Sequence, residues 1–476
     1  VVRGTSSPTI LDAKVGSRKE ATSIVETNVT VVHPPSWGRV GVAAVAVLIG
    51  LFSAGASAAR AAERLTAAAA SIQAADASRH VGVLADDAFE GREGGTRGGQ
   101  AAAAYVVEQL ERLGIEPAGD DGGYYQRFGG MRNVLAILPG SDPALAGEMI
   151  VIGAHYDHVG YGTAATSYGP FGFVHNGADD NASGVAGLLE IAEALQRLPE
   201  RPRRTILLAF WDGEEKGLLG STHFLRVRPA GVAGRTIVCS VNMDMIGRLR
   251  GGRLEVYGSR TAIGLREAVV QANTRGSTGA GLDLVFVWDI EEDSDHFPFI
   301  AASVPTVMFH TGLHDNYHRP SDDAHLVNFS GIEPVARLAL GFVMSVADAP
   351  EPLPAFRPAC RGESNATRNR IEAAVPESAE SPGGRWGIGT RDDPGEPGSP
   401  VVVRVWRSSA AERGGLRVGD RVLAIDAARI ISQDDMVSRL RLAPSTIFLD
   451  VERRGRVEHV RLDAGTDHEK GPLKGP

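Results

Sequence analysis

Thr205-Ile206-Leu207-Leu208-Ala209-Phe210 carries no charge, and Trp211-Asp212-Gly213-Glu214-Glu215 follows it at once. A short apolar run stopped by a glycine and acidic residues reads as a buried strand that ends at a polar edge. Three other runs repeat the pattern. Met149-Ile150-Val151-Ile152 is followed by His155-Tyr156-Asp157. Residues 236–241 lead into Asn242-Met243-Asp244, and residues 304–309 lead, through a loop, to Tyr317-His318. Residues 187–198 have the spacing of an amphipathic helix. Residues 63–115 are also helical in character, with good helix formers over 101–113 and a closing Gly114. Strands alternating with helices predict an α/β fold, a mostly parallel twisted sheet with helices on both faces.

In such sheets ligands bind outside the carboxyl ends of the strands. His155, Glu214, Glu215, Asp244 and His318 all follow strands, and Asp179 sits in Gly177-Ala178-Asp179-Asp180-Asn181-Ala182-Ser183-Gly184, just before the 187–198 helix. Singly, each motif has an ordinary reading. Asp, Asn and Ser cap helices, and Gly-Glu-Glu is often a solvated turn. Together, five segments deliver imidazole and carboxylate donors to one sheet edge, the inventory that zinc requires. His310, His314 and His318 recur every four residues, but Gly312 and Asn316 favour a loop, so one of the three is expected to be a ligand. Glu214 precedes a ligand by one residue. It therefore stands beside an activated water without being consumed by a metal, as a general base should.

On these motifs, residues 78–347 resemble the co-catalytic di-zinc exopeptidases, which include secreted bacterial aminopeptidases and glutamate carboxypeptidase. The matching segments are His155-Tyr156-Asp157, the Gly177 to Gly184 stretch, Asp212-Gly213-Glu214-Glu215-Lys216-Gly217, Asn242-Met243-Asp244 and Tyr317-His318-Arg319-Pro320. The resemblance implies two zinc ions per chain and an aminopeptidase acting on peptides. It implies that Asp179 bridges the metals, that His155 and Asp244 complete one site, and that Glu215 and His318 complete the other. Glu214 is then the base, and Tyr317 hydrogen-bonds the oxyanion. Asp157, which orients His155, and Asp180 support the ligands from behind, with a cis peptide between Asp179 and Asp180. Three alternatives stay open. They are a glutaminyl cyclase with one zinc, a carboxypeptidase or dipeptidase of the same fold, and a non-catalytic peptide-binding adaptor. Ser294-Asp295-His296 is expected as a pocket wall or buried cluster, Asp322 as a support for the His318 loop, and the glycine-rich loop 158–176 as a cover over the cleft.

The 476 residues allow two or three domains. Hydrophobic residues make up 43% and charged residues 22%, enough for a packed core, and with a net charge of −9 nothing suggests the basic face that nucleic acid requires. Pro350, Pro352, Pro354, Pro358, Pro376 and Pro382 mark 349–383 as a linker between a peptidase domain at 63–348 and a small β-rich domain at 384–466, before a disordered tail at 467–476. In the small domain, Arg385-Trp386-Gly387-Ile388-Gly389-Thr390 and residues 410–425 resemble a PDZ domain, which implies capture of peptide C-termini by strand addition. Residues 40–59 are uncharged and contain Ala56-Ser57-Ala58, so 39–62 reads as a signal peptide or membrane anchor after an unassigned extension at 1–38. The expectation is export to the periplasm or beyond, with membrane contact only if the segment stays uncleaved. Of the two cysteines, Cys239 is expected in the core and Cys360 as an unpaired linker thiol.

Overall fold

The computed structural model describes residues 63–274, 278–350, 352–376 and 384–465; the extension, the 39–62 segment and the 467–476 tail lie outside the described residues. The first sheet contains β1 (Glu116–Pro117), β2 (Tyr125–Phe128), β3 (Met131–Leu138), β4 (Glu148–His155), β5 (Thr205–Trp211), β6 (Thr236–Met243), β7 (Arg253–Tyr257), β8 (Asp283–Val287) and β9 (Thr306–His310). Their order is β1-β3-β5-β4-β6-β9-β7-β8, with β2 on β3. Strands β5, β4, β6 and β9 run parallel, flanked by antiparallel β3 and β7.

The apolar strands are continuous because both faces are covered. Ile206, Leu208 and Phe210 of β5 join one core with helices Ala74–Leu84, Arg97–Leu113, Gly184–Gln196 and Phe329–Ala347. Leu207, Ala209 and Trp211 face the other way, onto Phe224 and Phe299. Helix Phe329–Ala347 is long and apolar enough to cross a membrane, but it is mostly buried in the larger core. From β4 the chain crosses to β5 on one side and then returns to β6 on the other. That reversal opens a crevice at the carboxyl ends of β4, β5 and β6.

The proline-rich stretch is not a free tether over 352–376. Pro358–Gly362 forms a 3-10 turn, opened by a proline whose missing N–H suits a first-turn position, and Asn365–Glu372 forms a helix. Glu363 pairs with Arg260 and Arg357, and the Asn365 amide donates to Asp289 at 3.2 Å. Cys360, expected on a loose linker, is 1% exposed, and the turn that carries it is held to the first-sheet unit by Arg361, which donates to the Ile300 carbonyl at 2.7 Å.

The second sheet holds β10 (Ile388–Arg391), β11 (Val401–Val405), β12 (Arg421–Ile425), β13 (Ala428–Arg429), β14 (Thr446–Arg453) and β15 (Arg456–Asp463), paired antiparallel. It has its own core around Trp386, Val402, Met436 and Leu449, and it is docked firmly on the first sheet. The Arg266 guanidinium donates to both oxygens of Glu452 at 2.7–3.1 Å, with 11% and 3% of the two side chains exposed. Asn273 Nδ2 donates to the Gly455 carbonyl at 2.7 Å, and the Leu284 amide to the Arg454 carbonyl at 3.0 Å. Gly455, at φ 74°, lies so close that a Cβ would sit 2.3 Å from Leu284. Glu452→Ala would leave Arg266 buried without its partner, so unfolding in denaturant is expected to show a loss of about 3–5 kcal/mol. An unchanged midpoint would mean that the two sheets are not locked together.

Candidate metal centre

His155 is the last residue of β4, Glu214 and Glu215 lie on the turn after β5, and Asp244 follows β6 directly. Gly213, with φ 71°, makes the sharp turn that brings the two glutamates back over the strand ends. Asp180 comes from the turn before helix Gly184–Gln196, and His318 from the loop after β9. All meet at the crevice. Asp180 lies between two sets of donors. Its Oδ1 is 3.5 Å from His155 Nε2, whereas its Oδ2 is 3.1 Å from His318 Nε2 and 3.7 Å from His158 Nδ1. On the first side, Asp244 Oδ1 is 3.3 Å from His155 Nε2. On the second, Glu215 reaches His318 Nε2 at 3.1 Å and His158 Nδ1 at 2.8 Å. Donor atoms of His158, Asp180, Glu215 and His318 all lie within 4.8 Å of one another, and so do those of His155, Glu214 and Asp244.

The placement corrects the sequence reading at several positions. Asp179, expected as the bridge, is turned away. Its Oδ1 accepts from the Gly247 amide at 2.6 Å and Ser183 Oγ at 3.0 Å, and its Oδ2 is 3.2 Å from His314 Nε2. Asp180, expected behind the ligands, takes the central place, and the cis peptide is Asp180–Asn181 instead of Asp179–Asp180. Asp157 does stand behind the far nitrogen of His155, its Oδ1 3.8 Å from Nδ1, but its main chain comes closer. His155 Nδ1 is 3.2 Å from the Asp157 main-chain carbonyl, while the Asp157 carboxylate accepts the Glu214 amide at 3.1 Å. His158 was not anticipated. It stands three residues after His155 in His155-Tyr156-Asp157-His158, and a second imidazole so close to a candidate ligand was the available signal.

The other residues singled out in the sequence are placed as follows. Of His310, His314 and His318, only His318 joins a donor group. His310 lies 3.3 Å from the Met245 sulfur. Asp322 Oδ2 accepts the amides of both Asp179 and Asp180, at 2.9 and 3.0 Å, and Arg248 pairs with its other oxygen. Ser294 donates to Asp244 Oδ2 at 2.7 Å. Asp295 accepts from Ser221, and His296 is buried with neither ring nitrogen bonded. Tyr168, from loop 158–176, and Tyr317 both line the cleft, whose volume is about 600 Å³.

Charge dominates this edge. Burial raises the pKa of Glu214 and Asp157 well above the usual carboxylate range, and lifts Asp295 to about 7. Burial opposes a charged His318, but hydrogen bonds to Asp180 and Glu215 bring it up to about 11. Burial likewise works to raise Glu215, yet its bonds to His158 and His318 hold it below the ordinary value. The carboxylates favour a protonated His155 and His318 where a bound cation would otherwise supply the charge. Asp180 Oδ2 is buried, and the groups that face it are the imidazoles of His318 and His158, with no backbone or side-chain amide donating to it. A buried carboxylate oxygen that faces only imidazoles, among further carboxylate donors, fits zinc.

Comparison with known proteins agrees with this geometry. Leupeptin-inactivating enzyme 1 of Streptomyces exfoliatus is 30% identical over 268 residues, covering 54% of this chain and 54% of that protein. Leucine aminopeptidase 1 of Trichophyton rubrum is 26% identical over 271 residues, covering 52% of this chain and 68% of that protein. The chain thus spans only about half the length of the Streptomyces relative. The crystal structure of Legionella pneumophila LapA aminopeptidase shares the fold at a TM-score of 0.51 and 18% identity, covering 61% of this chain and 75% of that one. Residues 133–343, which include every donor residue above, match the model of peptidase family M28.

Proposed function

We propose that this chain is an exported zinc exopeptidase, an aminopeptidase that hydrolyses N-terminal residues from peptides. The observation that carries the reading is the Asp180 carboxylate, whose two oxygens face different histidine sets, with Glu214 beside them. His155, Asp244 and Asp180 would hold one zinc ion; Asp180, Glu215 and His318, with His158 adjacent, would hold the second. When bound, zinc supplies a Lewis acid and an acidified water. Glu214 manages the proton. Its amide is tied to Asp157 and its carboxyl group is buried beside His155, so its carboxylate can take a proton from water and deliver it to the leaving amine. Burial, with Asp180 and Glu215 nearby, pushes the Tyr317 hydroxyl pKa up, so it stays a donor for the developing oxyanion.

The cleft favours the amino end of a substrate. Away from the donor groups its lining carries Glu255, Asp289, Glu291 and Asp293 against Arg253 and Arg368. An excess of carboxylates attracts an α-ammonium and repels a terminal carboxylate. The named activities of the fungal and Legionella relatives point the same way. A single-zinc cyclase would leave one of the two donor sets without purpose. Export rests on the 39–62 segment. Capture of peptide C-termini rests on β10, which ends the second sheet, beside helix Gln433–Leu442.

Release of an aminoacyl chromophore is expected to stop on chelation and return with zinc. Equal cleavage of N-acylated peptides would contradict the aminopeptidase assignment. Glu214→Gln should keep its zinc and lose about 10²–10⁴ in kcat. Asp180→Asn should lose zinc on dialysis while Asp179→Asn retains it, as read by metal analysis of the purified variants. The reverse order would restore Asp179 as the bridge.

A further inference from the structure

We propose that His158 is a sixth metal-ligating residue, which closes one of the two zinc positions and makes them chemically unequal. The inference rests on the zinc reading above and goes beyond the five ligands that the family resemblance implies. His158 follows β4 by three residues and is 0% exposed. Its amide bonds to the Arg92 carbonyl at 3.3 Å, and a Cβ on Gly177 would lie 2.5 Å from its ring, so the ring has little room to turn. Nδ1 points into the donor group, at 2.8 Å from Glu215 and 3.7 Å from Asp180.

His158 Nδ1 lies 2.8 Å from Glu215 Oε1 and 3.7 Å from Asp180 Oδ2, while His318 Nε2 lies 3.1 Å from Glu215 Oε2 and 3.1 Å from the same Asp180 oxygen; one donor atom from each of the four residues lies within 4.8 Å of the others. A tetrahedron whose corners lie about 2.0–2.1 Å from a zinc ion has edges of about 3.3–3.4 Å. Donor atoms of four residues are therefore gathered at close to that scale, as a four-donor shell requires. An imidazole that only donated a hydrogen bond to Glu215 would have no reason to face Asp180 as well.

The His155 position differs. His155, Asp180 and Asp244 give it three donors, and all three line the cleft; at the other position Asp180, Glu215 and His318 line it too, and His158 alone adds a donor from outside the lining. Four protein donors are the mark of a closed zinc site, and three the mark of one that keeps a position open. The His158 position should hold its ion firmly. The His155 position should exchange its ion and present it to substrate.

X-ray absorption on the wild-type holoprotein tests this without any substitution. Three imidazole nitrogens per two zinc ions are expected; two would overturn the role of His158. In parallel, stepwise chelation with metal counting should remove one ion easily and leave the other. His158→Ala should weaken the retained ion by more than about 100-fold, beyond the usual 10–100-fold cost of losing an outer hydrogen-bond partner. A smaller loss would make His158 such a partner and defeat the proposal. A wild-type chain that binds no zinc would sink the proposed function as well, whereas two firmly bound ions with two imidazoles would sink only this inference.

Discussion

Asp322 accepts the amide protons of Asp179 and Asp180 together, and the geometry of the centre depends on that grip. Two successive amides on one carboxylate fix the peptide planes on either side of Asp179. The Asp179 side chain is then carried back onto Gly247 and Ser183, and the Asp180 side chain forward between the histidines. Arg92 secures the same turn from the other side. Its buried guanidinium donates to the carbonyls of Tyr156, Leu84, Asn176 and Gly177, which joins the loop after β4 to the loop that carries Asp180. A fully buried arginine on carbonyl groups is costly in isolation, and the surrounding carboxylates offset that cost.

The edge as a whole concentrates more negative charge than burial normally allows. Asp157, Asp179, Asp180, Asp212, Asp244 and Asp295 are all buried there, with Arg92 as a buried counter-charge and Arg248 reaching Asp322. Uncompensated charge at such depth either takes up protons or recruits a cation. The raised pKa values of Asp157, Asp212, Glu214 and Asp322 show the first response. A pair of divalent ions would provide the second. The site is thus locally unfavourable in a way the rest of the fold, with its two apolar layers, can support.

Much of this was legible from the sequence, for definite reasons. The apolar strands 205–211 and 148–155 announced themselves because both faces of a parallel sheet are covered, and the candidate donors followed because strand ends share one edge. The exchange of Asp179 for Asp180 marks the limit. Neighbouring aspartates are equivalent to any spacing argument, and only the backbone turn decides which one faces inward. His158 was hidden by its loop position, where no periodicity operates. The docking of the second sheet was hidden because Arg266 and Glu452 are 186 residues apart. The proline-rich stretch misled for a related reason, since its order comes from distant partners such as Arg260 and Asp289.

The most direct test of the account is a crystal structure of the zinc-loaded protein with anomalous scattering recorded at the zinc edge. Two peaks are predicted, one on each side of the Asp180 carboxylate, with Asp179 touching neither. A single peak, or a metal held by Asp179, would contradict the shared carboxylate on which the centre is built.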